Sequence, residues 1–137
     1  MRTRIRPMAV LAAVLAGLWT APLTAQDAMT KHDRQGPVTV ALTLLTSPGD
    51  GSPMRVKVVL DTHSVALDGI TLQQAVVLLA SDGREVTPEA LEAATGGGHH
   101  RQAILVFPPG VAKGSVRIVV RNVGGVAERT FTWDVVR

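Results

Sequence analysis

The chain has 137 residues, with 14 Lys and Arg against 11 Asp and Glu, and no cysteine. Its basic surplus is accounted for by Arg2, Arg4 and Arg6; without them bases and acids balance. A neutral remainder without a Lys/Arg cluster gives no footprint for a phosphate backbone, so no nucleic acid is expected as partner, and the lack of cysteine excludes disulfides, thiolate chemistry and attachment through a lipidated cysteine.

The three arginines precede an uncharged apolar run over residues 8–19, then Pro22 and the small-residue approach Leu23-Thr24-Ala25. The run is about a dozen residues, short of the roughly 20 that a bilayer span needs. Residues 1–25 therefore read as a secretory signal peptide, which implies a secreted or periplasmic protein with no membrane span after cleavage. Residues 26–36 are polar and aperiodic and read as a flexible leader. Residues 37–137 remain as one domain, long enough for a single core.

From Pro37 onward the hydrophobic period is two. Val38, Val40, Leu42 and Leu44 alternate with smaller or polar residues, and Val56, Val58 and Leu60 repeat the pattern after a Pro/Gly-rich turn at residues 47–53. Residues 74–80 form a continuous apolar run, short enough for a strand buried on both faces. Ser81-Asp82-Gly83 is a turn, and Glu85-Val86 a short strand. Thr87-Pro88-Glu89 has the cap, first-turn proline and first-turn acid of a helix start, so a short helix is expected over residues 88–94, with Glu89 and Glu92 on its solvated face and Gly96-Gly97-Gly98 at its end. Ala103, Leu105 and Phe107 share a strand face, as do Val116, Ile118 and Val120. After Gly124-Gly125, Phe131, Trp133 and Val135 do the same, which makes Trp133 a core residue rather than a ligand platform. These spacings predict an all-β fold, an immunoglobulin-like β-sandwich of about seven strands.

Three stretches carry a resemblance: Leu60-Asp61-Thr62-His63-Ser64-Val65; Gly97-Gly98-His99-His100-Arg101 leading to Leu105-Val106-Phe107; and Val123-Gly124-Gly125-Val126 before Arg129. Over residues 56–134 the chain resembles a poorly characterised family of exported prokaryotic proteins with an immunoglobulin-like sandwich. The resemblance implies an exported β-sandwich and no nameable enzyme activity. Members of that family often carry an aromatic residue where this chain has residues 91–94.

Chemistry is offered chiefly by histidines. His32 falls in the leader. His63 follows the second strand, and His99 and His100 precede a later one. In an immunoglobulin-like sandwich those loops and the last hairpin meet at one end, so His63, His99 and His100 are expected to converge beside Gly124 and Gly125. Imidazoles with a carboxylate suit copper or zinc, and Asp61 is the nearest carboxylate, with Asp68 a second candidate. The competing reading gives Asp61, Thr62 and Ser64 the task of capping loop amides and leaves the histidines structural. No G-x-S-x-G, P-loop or H-E-x-x-H pattern occurs, and Asp61, His63 and Ser64 are too close in sequence to form a triad. The expected function is therefore non-catalytic: an exported sandwich that binds copper or zinc through His63, His99, His100 and Asp61. The alternative is a protein–protein interaction module of the cell envelope, docking on an exported partner, with Val59, Val77 and Val119 as the off-phase valines of an exposed patch.

Overall fold

Val38, Val40, Leu42 and Leu44 point to one side of strand β2 (Val38–Leu44), and all four are buried. The same alternation buries Met54, Val56, Val58 and Leu60 on β3 (Met54–Thr62). The computed structural model describes residues 28–46, 48–49 and 51–135; the signal-peptide reading concerns residues 1–25 and lies outside them.

Strand β1 (Thr30–Asp33) precedes β2. After β3 come a single helical turn α1 (Leu72–Ala75), β4 (Val76–Leu79), β5 (Glu85–Val86), β6 (Ala90–Gly97), β7 (His100–Phe107), β8 (Ser115–Val123) and β9 (Val126–Asp134). They form two antiparallel sheets of order β1-β2-β3-β7-β6 and β5-β4-β8-β9. Taken without β1 and β5, this is the immunoglobulin-like order of four strands facing three. Apolar residues from both inner faces make one core, including Leu60, Leu105, Phe107, Ile118, Phe131 and Trp133.

Among the described residues there are nine strands where about seven are expected, and two segments differ from expectation. Residues 90–97 are not helical. They form the edge strand β6, paired with β7, with a register break between Glu92 and Thr95 where Ala93 takes φ 48°. The helix-start signals at Thr87-Pro88-Glu89 are overridden because Leu91 packs against the core and the backbone bonds to β7; a weak local propensity yields to such a ladder. Part of the expected leader is likewise ordered: Thr30–Asp33 pairs with β2, and His32 sits on this strand, exposed. The apolar run at residues 74–80 begins in α1 and becomes a strand only at Val76.

Val77 and Val119 face each other across β4 and β8 on the outer side of their sheet, yet they are 5% and 1% exposed. The patch expected of them is not exposed, and Val59 is half-buried. The register shows what crosses them: Arg121 reaches diagonally to Glu85 on β5, with Nη1–Oε2 2.9 Å, and also meets Glu128 on β9. On the other sheet, Arg55 makes the equivalent reach over β7 to Glu92.

Candidate functional site

Thr62 organises the end of the sandwich where the histidines lie. Its buried hydroxyl donates to the Pro37 carbonyl at 2.8 Å and accepts the amides of Ser64 and Val65 at 3.2 and 3.3 Å. The Thr62 amide donates to His99 O, and the Leu67 amide to Gly98 O. The loop after β3 is thus stitched to the β6–β7 hairpin. Arg101 completes the seam from its partly buried position, giving Nη1 to the carbonyls of Leu67 (3.0 Å) and Ile70.

The glycine run is a tight turn with a fitted occupant. Gly96 and Gly98 have φ of +86° and +59°, a backbone region that favours glycine. A Cβ on Gly96 would collide with His100 O. The Asp68 carboxylate lies against Gly97, and both its oxygens accept the Gly98 amide at 3.1 Å. Asp68, considered as a metal ligand, is therefore engaged in holding the hairpin.

Loop convergence at this end holds. The β8–β9 turn closes on β2, with a Cβ on Gly124 placed 2.6 Å from Val38 Cγ2. The side chains are gathered less tightly than the loops. His99 occupies the hairpin turn and His100 is the first residue of β7, so the two neighbours do not share one loop conformation. His100 stands opposite Asp61 in the β3–β7 register, and its Nδ1 is hydrogen-bonded to Asp61 Oδ1. Both side chains are more than half exposed, at 56% and 55%. His63 and His99 are exposed, with no hydrogen bond to this pair. Among the described residues, no three His, Cys, Asp or Glu side chains stand together as a set that could hold a metal ion.

The pair has a definite chemical character. With Nδ1 committed to a carboxylate, the ring is fixed in orientation and Nε2 is left as its free nitrogen.

Arg129, which closes the third stretch of the sequence resemblance, has a role that the resemblance does not imply. It is 1% exposed on the inner side of β9, donating to the carbonyls of Val38 (2.8 Å), Gln35 (2.7 Å) and Val123 (3.1 Å). Its Nε has no hydrogen-bond partner and lies 3.6 Å from Asp33 Oδ1. Burial pushes its pKa down, opposed by the Asp33 charge. The signal was present in the sequence, since Arg129 is in phase with Phe131 and Trp133. Its work is structural: one fork ties the β1–β2 turn to the β8–β9 turn.

No family model, no curated protein and no solved structure matches this chain.

Proposed function

We propose that this chain is a non-catalytic, exported β-sandwich protein that binds a transition-metal ion, copper or zinc, at the strand end carrying His100. The observation that carries the reading is the Asp61–His100 pair. A carboxylate holding the far nitrogen of an exposed imidazole is the usual second layer of a histidine metal ligand. Asp61 thereby takes the role of orienting group, and His100 Nε2 that of the first ligand. The exposed rings of His63 and His99 stand on the two segments joined by the Thr62–His99 hydrogen bond, and they complete the set by rotating toward His100. Water fills what remains.

Calorimetric titration with Cu(II) or Zn(II) tests this, comparing the parent chain with His100→Ala. His32→Ala serves as the background in both, because β1 belongs to the fold and is not to be cut away. One equivalent bound by the parent and weakened at least tenfold by His100→Ala is the expected result; equal affinity of the two would refute the site. Export is tested separately: intact mass of the protein recovered outside the cytoplasm should correspond to a chain starting at Gln26.

A further inference from the structure

We propose that the outer edge of β9 is a docking site for an extended segment of another protein, and that this segment carries basic side chains at the two positions facing Glu128 and Asp134. The proposal is independent of the metal reading.

A strand at a sheet edge presents unpaired backbone groups, and proteins blunt such edges with brevity, bulges or cover. Among the described residues, three of the four sheet edges are blunted. β1 has four residues and β5 has two. β6 is broken by the irregularity between Glu92 and Thr95, with Ala93 at positive φ. β9 has neither brevity nor a break, and its inward-pointing charge, Arg129, is spent on carbonyls inside the sandwich. It has nine residues, keeps a single register with β8 from Asp134 to Val126 with only the Asn122–Ala127 pair omitted, and among the described residues pairs with no other strand. It contains no proline.

The side chains along β9 say what would fit. Arg129, Phe131 and Trp133 face the core, while Glu128, Thr130, Thr132 and Asp134 face outward. The outward row is thus two β-branched residues flanked by two exposed acids. Glu128 shares Arg121 with Glu85, so the three groups together keep a net negative charge, and Asp134 has no ion-pair partner among the described residues. An added strand with Lys or Arg opposite each acid and β-branched residues between them would satisfy both the ladder and the charges. A second copy of β9 would not, because its outward row holds no cation to place opposite either acid. Centred on Phe131, self-pairing would set Glu128 directly against Asp134 of the other copy.

The test uses the chain as recovered after export and a synthetic peptide, Lys-Val-Thr-Val-Thr-Val-Lys, with a companion in which both lysines are glutamate. Amide hydrogen exchange is followed residue by residue at millimolar peptide. Slowed exchange at alternate amides of β9, with the glutamate peptide at least tenfold weaker, is the expected result. Glu128→Lys combined with Asp134→Lys should invert the preference between the peptides. Absence of protection at β9, protection confined to β6, equal binding of the two peptides, or an unchanged preference in the double variant would each overturn the proposal. So would slowed β9 exchange that rises with protein concentration without peptide, since the occupant would then be a second copy.

Discussion

The Asp68 carboxylate fills the space that a side chain on Gly97 would need: a Cβ there would stand 2.8 Å from Oδ1. Gly97 lies outside the positive-φ region, so a side chain is opposed by this contact and not by its own backbone. Gly97→Ala should therefore destabilise the fold by ~1 kcal/mol, the cost of moving the exposed Asp68 carboxylate off the Gly98 amide. Asp68→Gly should cost ~1 kcal/mol, as the Gly98 amide loses its acceptor. In the double variant the contact is absent, so the two costs should fall short of additive. Denaturant midpoints of the four proteins check this.

Much of the fold was legible because half-buried strands write themselves as alternation. Val38 to Leu44, Val56 to Leu60 and Phe131 to Trp133 show it directly, and each proves to be an inner face. β6 escaped because its ladder is broken at Ala93, which destroys the period just where Ala, Leu and Glu favour helix. β1 escaped because Thr30-Lys31-His32-Asp33 has no apolar residue to alternate. Its inward side chains are instead held by distant partners, Lys31 over the Trp133 ring and Asp33 beside Arg129. At the histidine end, the meeting of the loops followed from strand order. The roles of Asp61 and Asp68 did not, since they depend on register and on a turn conformation that no local spacing encodes.

Trp133 joins the core to β1, and its removal should be costly. It is 3% exposed, stacks on Phe131 at 6.4 Å, and donates Nε1–H to the Met29 carbonyl at 2.9 Å. Trp133→Ala should lose ~3–5 kcal/mol. Lys31→Ala, which removes a cation 6.0 Å from the ring centroid, should lose ~0.5–1 kcal/mol. Urea unfolding followed by circular dichroism measures both. An unchanged midpoint for Trp133→Ala would contradict the core assignment.

Arg129→Met should destabilise by ~2–5 kcal/mol, because three carbonyls lose their donor in a site with little water access. Arg129→Lys should recover only a minor part of this, since one ammonium cannot reproduce the guanidinium fork. Asp33→Ala should cost less than Arg129→Met: its carboxylate is 3.6 Å from Nε, beyond hydrogen-bond range. A lysine variant as stable as the parent would show that the fork geometry is unimportant.

Acid should weaken the strap across Val77 and Val119. The Arg121 guanidinium, chiefly through its hydrogen bonds, holds the Glu85 carboxyl below its ordinary value of 4.5. A carboxylate with a depressed folded-state pKa contributes stability at pH above its unfolded value and loses it as pH falls through the folded one. Between pH 7 and pH 3 the parent should lose more stability than Glu85→Gln, which has no proton to take up there. Parallel declines in the two proteins would remove Glu85 from the acid response.

The metal reading makes a sharper demand on Asp61 than on any ligand. If His100 Nε2 binds the ion while Asp61 orients the ring, Asp61→Asn retains a hydrogen-bonding side chain of similar shape but removes the charge that raises imidazole basicity. Affinity for Cu(II) or Zn(II) should then fall ~10–100-fold, while His100→Ala falls at least as far. A ligating imidazole must be deprotonated, so protons compete with the ion and affinity of the parent should be lower in the more acidic of two buffers. Were Asp61 only a partner in a surface ion pair, Asp61→Asn would leave binding unchanged, and any metal effect on the melting temperature would persist in that variant. Titration of the parent, Asp61→Asn and His100→Ala at pH 7.5 and 5.5, all in the His32→Ala background, separates the two cases.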